Sequence, residues 1–278
     1  MTGDDDFWVR FWGVRGTVPC PGPGTVRYGG NTSCIEVMCA GERLIFDAGT
    51  GIRALGSSLA GQTGLNAHIF LTHTHIDHIN GFPFFRPAYN PNNCFEIWTG
   101  HLASRKLGLQ NVLGKLMSGP IFPVPIDIMH ACIAFHDFEA GESFEPLPGI
   151  KLKTASLNHP QGATGYRIDF AGKSICYVTD TEHREGELDK NILNLIDGAD
   201  LVIYDSTYTE EEYRQFRTWG HSTWREGLKL CDAAGAKTFV AFHHDPEHDD
   251  AFMDGIAAQI EQRRPGSIVA KEGMTLRP

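Results

Sequence analysis

The first third of the chain is built from short apolar runs separated by glycine turns. Phe7-Trp8-Val9-Arg10-Phe11-Trp12 is aromatic and β-prone, and Pro19 to Gly24 reads as loop. Ser33-Cys34-Ile35-Glu36-Val37-Met38 and Arg43-Leu44-Ile45-Phe46 read as paired strands around Ala40-Gly41-Glu42. A turn at Asp47-Ala48-Gly49-Thr50-Gly51 leads into a short helix near Ile52 to Leu59, and Ala67 to Leu71 is a compact apolar strand. The middle has another texture. Gly81 to Asn93 is rich in Pro, Phe and Asn, Phe95 to Trp98 reads as a strand, Leu102 to Met117 has helix-forming composition, and prolines punctuate Gly119 to Pro125. Beyond Ile150 the alternation resumes. Strands are expected at Tyr166 to Phe170, Ser174 to Thr179, Leu201 to Tyr204 and Thr238 to Phe242, with helices at Asp189 to Ile196 and Thr223 to Ala234. Strands and helices interleaved in both halves imply a layered α/β architecture. With no linker in view, residues 1–278 are read as one domain.

Composition changes this picture little. Hydrophobic residues at 41% and charged residues at 21% are those of an ordinary soluble globular protein. Against 34 acidic residues there are 24 Lys plus Arg, a net charge of -10 that argues against a dedicated binder of long nucleic acid. The start, Met1 to Arg10, is acidic and then aromatic, without the basic and apolar stretches of a secretory signal. No apolar run approaches the roughly 20 residues of a membrane span. The seven cysteines are odd in number and lack a CxxC pair, so reduced, mostly buried thiols in a cytoplasmic protein are expected. A homodimer is compatible with the sequence.

The chemistry is concentrated just after the Ala67–Leu71 strand, where His73-Thr74-His75-Ile76-Asp77-His78 forms His-x-His-x-Asp-His. Imidazole and carboxylate are the groups that hold zinc and similar ions. Four of them on one turn would be costly to bury together without a cation. The segment resembles the signature of the metallo-β-lactamase superfamily. That resemblance implies an αββα sandwich with a two-metal site on one edge, here with an insertion around residues 84–138. It further implies that His73, His75 and His159 hold the first metal. Asp77, His78 and His243 would hold the second, and Asp180 would bridge the two. His159 follows Ser156-Leu157-Asn158, Asp180 ends Tyr177-Val178-Thr179, and His243 ends Phe239-Val240-Ala241-Phe242. His243 is preferred to its neighbour His244, while Asp245, His248, Asp249 and Asp250 read as surface loop. Zinc is the default for both positions, with manganese and iron compatible with the same ligands.

Two further motifs choose among the chemistries of that superfamily. Asp205, after Leu201 to Tyr204, and Gly220-His221-Ser222-Thr223 resemble the phosphodiesterase branch that contains tRNase Z and the cyclic-phosphate phosphodiesterases. There an acidic residue orients a histidine over the scissile phosphate. This chain has Asp205 where that branch commonly has glutamate, a shorter arm. Catalytic roles therefore fall to Asp77, His221 and Asp205, with a metal-bridging hydroxide as nucleophile. Ser222 or Thr223 would also cap the helix from Trp224. Arg86, Arg105, Lys106 and Lys115 are dispersed, and no basic arm of the kind that grips tRNA is seen, so a small phosphodiester such as a cyclic nucleotide is the expected substrate. A lactonase or thioesterase would need the metal ligands without His221. An endoribonuclease would show steep salt dependence. Phe82-Pro83-Phe84-Phe85 reads as core more readily than as a base-stacking wall, and Tyr28-Gly29-Gly30-Asn31 fits a turn near the site or a structural hairpin.

Overall fold

A computed structural model describes residues 6–278, so the acidic residues 1–5 lie outside it. Two seven-stranded sheets pack face to face. The first holds β1 (Phe7–Gly13), β2 (Cys34–Cys39), β3 (Glu42–Phe46), β4 (Asn66–Leu71), β5 (Cys94–Thr99) and β6 (Cys132–Asp137) in spatial order, with β14 (Thr275–Leu276) beside β1. The second runs from β7 (Ser143–Leu147) through β8 (Ile150–Leu157), β9 (Ala163–Phe170), β10 (Lys173–Val178), β11 (Leu201–Asp205) and β12 (Thr238–Phe242) to β13 (Ile268–Val269). Each sheet is antiparallel at one end and parallel at the other: β3 to β6 are mutually parallel in the first, β10 to β13 in the second.

Burial explains the apolar texture of these strands. On β1, Phe7, Val9 and Phe11 point inward while the residues between them are half-exposed, the period-two signature of a strand with one face on the core. β11 is buried at every position because it is covered on both faces, which is why Leu201-Val202-Ile203-Tyr204 reads as an unbroken apolar run. One cluster between the sheets joins Phe11, Val37, Phe46 and Phe70 to Tyr166, Ile175, Tyr177, Ile203 and Phe242. Outside the first sheet lie α1 (Gly51–Ser58) and α3 (Leu109–Leu116), packed on Ile45, Ile69 and Ile97. Outside the second lie α4 (Lys190–Ile196), α6 (Trp224–Ala233) and α7 (Asp250–Arg263), packed on Val178, Val202 and Phe239. The result is the expected αββα sandwich. Two short helices, α2 (Ile76–Ile79) and α5 (Glu210–Gln215), belong to the loops at the parallel strand ends.

Several details differ from the sequence expectation. Residues 84–138 contribute β5 and β6 to the first sheet, and the stretch between those strands stands beside the strand-end loops. The helix expected over Leu102 to Met117 is a turn at Ala103–Arg105 followed by α3, because Lys106 is left-handed at φ 54° and Gly108 is extended. His248 and Asp250, expected on the surface, are buried. His248 Nε2 bonds Glu212 Oε1 at 2.8 Å, and the Asp250 carboxylate accepts the backbone N–H groups of Arg27 and Tyr28. Asp245 is half-buried, and Asp249 is exposed as the N-cap of α7. The Tyr28–Asn31 turn is structural, with Tyr28 buried and Asn31 tied to Glu272. Phe82 and Phe85 are core. Among the described residues no helix is long and apolar enough to cross a membrane. All seven cysteines are free, four of them buried.

Candidate metal centre

The parallel strands of both sheets end on the same edge, and the loops leaving β3, β4, β8, β10, β11 and β12 bring the candidate residues there. Placement at strand carboxyl ends is the general rule for ligand sites in such sheets. Three of these residues turn sharply: Asp47 after β3, Asp180 after β10 and His243 after β12 have φ of 61°, 57° and 63°. Left-handed backbone at a non-glycine residue costs about 1–3 kcal/mol and is kept at functional sites. Here it directs the side chain back across the edge.

The seven predicted ligands form two adjoining groups. His73, His75 and His159 converge in the first, and the buried Asp77, His78, Asp180 and His243 in the second, with donor atoms in each group within 4.8 Å of one another. His159 Nε2 lies 3.0 Å from His75 Nδ1. In the second group His78 Nε2 lies 3.1 Å from Asp180 Oδ2, and His243 Nε2 lies 3.3 Å from the same oxygen. Asp180 Oδ1 faces the other way, 3.7 Å from His73 Nε2 and 3.8 Å from His159 Nε2. One carboxylate thus looks into both groups, one oxygen to each. His244 turns away; its Nε2 donates to the Ala270 carbonyl.

Surrounding groups fix each ring. His78 Nδ1 bonds Asp47 Oδ2 at 2.9 Å, His159 Nδ1 donates to the Gly220 carbonyl at 2.8 Å, and His243 Nδ1 meets the Thr207 hydroxyl at 3.0 Å. His75 Nε2 donates to Gln161 Oε1, leaving Nδ1 to face the cluster. Asp77 Oδ2 accepts the Thr17 N–H at 2.8 Å. Two glycines make room: a Cβ on Gly16 would lie 2.3 Å from the His243 ring, and one on Gly220 would lie 2.3 Å from His159 Nδ1. None of Asp47, Thr17, Gly16, Gln161 and Thr207 is marked by a sequence pattern as part of a site.

Charge in the cluster fits a divalent cation. Burial and the neighbouring imidazoles push His73 well below the usual histidine range, so it is neutral, and burial lowers His159 as well. His73 Nε2 is buried without a hydrogen-bond partner, the condition of a lone pair waiting for a Lewis acid. Burial would raise Asp77 and Asp180, yet the nearby histidines hold both well below the carboxylate range. Burial would likewise lower His78, but Asp180, Asp77 and Asp47 together raise it well above 6.5. That proton supplies the positive charge three carboxylates demand, and a metal would displace it.

Beside this cluster His221 Nδ1 bonds Asp205 Oδ2 at 3.0 Å and lies 3.9 Å from Asp180 Oδ1. Burial opposes protonation of His221, but the Asp205 charge and hydrogen bond outweigh it and lift the imidazole to about 9. The shorter aspartate arm therefore reaches. Asp205 Oδ1 also accepts the backbone N–H groups of Thr207 and Ser222, so the pair is held on both sides. Thr223 caps α6 through the Glu226 N–H, while Ser222 Oγ accepts from the Tyr204 hydroxyl.

The profile of the β-lactamase superfamily domain matches residues 42–244, nearly three quarters of the chain and the whole of the cluster. The chain belongs to the metallo-β-lactamase superfamily. It is similar to ribonuclease Z of Haloarcula marismortui, 25% identical over 97% of this chain and 96% of that protein. Among solved structures it resembles zinc-bound PqqB from Methylobacterium extorquens, with TM-score 0.72 and 17% identity over 97% and 99% of the two chains. A diphosphatase of the PhnP family gives TM-score 0.70 and 17% identity over 97% of both chains. The protein is a metal-dependent hydrolase of this fold, and the donor set with the fold implies divalent metal ions at the cluster.

Proposed function

We propose that the protein is a two-metal phosphodiesterase acting on a small phosphodiester, with cyclic nucleotides the leading class. In this reading His73, His75 and His159 hold one ion, Asp77, His78 and His243 the other, and Asp180 both, with zinc the ion of first choice. When bound, two such ions supply an activated water and a Lewis acid for the phosphoryl oxygens. The chain's own residues do the rest. Asp180 and the orienting contacts from Asp47, Thr207 and Gly220 hold the donors in place. Asp77, fixed by the Thr17 N–H, keeps its charge on the cluster. His221, with Nδ1 engaged by Asp205, has Nε2 free to give a proton to the departing alkoxide or to pair with a non-bridging oxygen.

The observation that carries the reading is the His221–Asp205 pair, 3.0 Å apart and lying against Asp180. Ester and lactone hydrolysis need the metal ligands but no protonated histidine at that place. The likeness to ribonuclease Z over 97% of the chain favours a second reading, an endoribonuclease using the same residues.

The test assays metal-loaded protein on bis-p-nitrophenyl phosphate, a lactone panel and a pre-tRNA, with His221→Ala, Asp180→Ala and the metal content of each. Phosphodiester turnover that falls in both variants, with metal kept in His221→Ala and lost in Asp180→Ala, is expected. Lactone turnover indifferent to His221 overturns the proposal. Cleavage of RNA with a steep salt dependence moves it to the second reading.

A further inference from the structure

Beside His221 the chain displays an aromatic residue that its own core does not use. Trp219 is 61% exposed, leaving open a large amphipathic ring of the kind that makes contacts with ligands. Its backbone is nevertheless fixed. Glu182 accepts the N–H of Thr218 through one carboxylate oxygen and that of Gly220 through the other, both at 2.9 Å, so the backbone is pinned on either side of Trp219. Glu182 is itself locked to Asn158, the residue before His159, by backbone and side-chain hydrogen bonds of 2.7 Å. Thr218 sits at φ 74°, a conformation that a β-branched residue adopts only when its surroundings impose it.

The ring also belongs to a series. Trp219 packs edge-on against Phe216 at 5.2 Å, Phe216 stacks on Tyr208 at 5.2 Å, and Tyr208 meets the His221 ring edge-on at 5.8 Å. Residues 218–221 therefore carry the clamped indole, the carbonyl that orients His159 and the imidazole paired with Asp205. Trp219 is two positions from His221, whose Nδ1 lies 3.9 Å from Asp180 Oδ1, so a phosphodiester meeting His221 has its esterifying groups on the side of the site that carries this ring series. Free aromatic faces beside a phosphate site bind nucleobases by stacking, with each stacked base contributing about 1–3 kcal/mol. A protein partner fits less well. One indole flanked by exposed Arg217 and Thr218 is far smaller than the roughly 1,200 Å² a stable interface buries.

We infer that Trp219, backed by Phe216 and clamped by Glu182, is a stacking platform for a nucleobase of the substrate, which makes the enzyme selective for nucleoside phosphodiesters. This inference rests on the phosphodiesterase reading. Its test compares thymidine 5′-(p-nitrophenyl) phosphate with methyl p-nitrophenyl phosphate, which share a leaving group and differ in the base and sugar. In W219A the ratio of kcat/KM for the thymidine ester to that for the methyl ester should fall about 5- to 100-fold, the range set by the energy of one stacked base, and W219F should restore most of it. A ratio that stays at the wild-type value in W219A overturns the platform. So does an unchanged ratio accompanied by loss of a dimer on gel filtration, which would make Trp219 an interface residue. Should neither ester be turned over, the phosphodiesterase reading has failed, and the platform is then read by titrating AMP against tryptophan fluorescence in wild type and W219F. Saturable quenching lost in W219F keeps a base-stacking site, and equal traces remove it.

Discussion

Replacing Asp47 by asparagine should disable half of the metal centre although Asp47 faces no predicted metal position. The carboxylate is fully buried and each oxygen has a fixed clientele. Oδ1 accepts the Thr72 N–H and hydroxyl at 2.8 and 2.9 Å, and Oδ2 takes His78 Nδ1 and the Tyr177 hydroxyl at 2.9 Å each. An amide must put its NH2 in one of those two places. Toward Thr72 it would oppose the backbone N–H, two donors face to face. Toward His78 it makes Nδ1 an acceptor, and the ring proton then sits on Nε2, the atom that points at Asp180 and His243. Either arrangement works against metal at that position. Loss of such a supporting contact typically costs 10- to 100-fold in metal affinity, about 1.4–2.7 kcal/mol. Asp47→Ala is less informative, since it strands four donors at about 1–3 kcal/mol each and lowers stability directly. The assay is a zinc titration of apoprotein against a chromophoric chelator, with Tyr177→Phe as the control that removes a donor and keeps the charge. Asp47→Asn should weaken one of two binding steps and leave the other near its wild-type value, and Tyr177→Phe should leave both. If Asp47→Asn holds both ions as tightly as wild type, Asp47 does not set the His78 tautomer and the argument is wrong.

Other expectations follow from neighbouring contacts. His221 is lifted to about 9, so its protonated form is present below that value and lost as pH rises through it. Without the Asp205 charge and hydrogen bond, burial is opposed only by the more distant Asp180 and Asp77, so the imidazole should titrate below that value and lose its proton at a lower pH. A pH profile of kcat/KM for Asp205→Asn should show its basic limb displaced downward, and an unmoved limb would take the proton donor's role from His221. Gly220→Ala meets His159 Nδ1 at 2.3 Å in a backbone with φ 90°, and Gly16→Ala meets the His243 ring at 2.3 Å. Metal analysis should find the two variants depleted at opposite halves of the cluster. Equal metal content in wild type and both variants would show that the rings can shift freely.

The legible part of the site was the part written in consecutive residues. His73, His75, Asp77 and His78 lie within six positions, and a turn after an apolar strand leaves them little choice but to converge. His159, Asp180 and His243 follow β8, β10 and β12, and only the resemblance to the metallo-β-lactamase signature marks those strand ends as candidate ligand positions. Asp47 follows β3 in the same way, but nothing local distinguishes a buried support for His78 from a turn residue. Glu182 and Thr17 act through backbone amides brought near by the fold, which no spacing encodes. The helix α7 is hard to read because its buried stripe, Met253, Ile256 and Ile260, is blurred by apolar residues on its other faces, Ala251 and the exposed Phe252 among them. His248 and Asp250 looked like surface because they sit in a charged loop, and their partners Glu212, Arg27 and Tyr28 are distant in sequence.

The sharing of Asp180 between donors from both sheets bears on how the chain reaches and leaves its native state. His78 and His243 are 165 residues apart, and one belongs to the loop after β4 while the other ends β12. A nascent or denatured chain can offer an ion only the short His73–His78 stretch, so complete capture must await docking of the two layers. The ion then rivets layers already in place instead of nucleating them, unlike in a small zinc domain that is unfolded without its metal. Loading should consequently slow unfolding and leave refolding rates almost untouched, the signature of contacts absent from the transition state. At free ion a hundredfold above its dissociation constant, each site would add about 2.7 kcal/mol to the lifetime-determining barrier. Chelation would turn a long-lived fold into one that opens readily at its working edge.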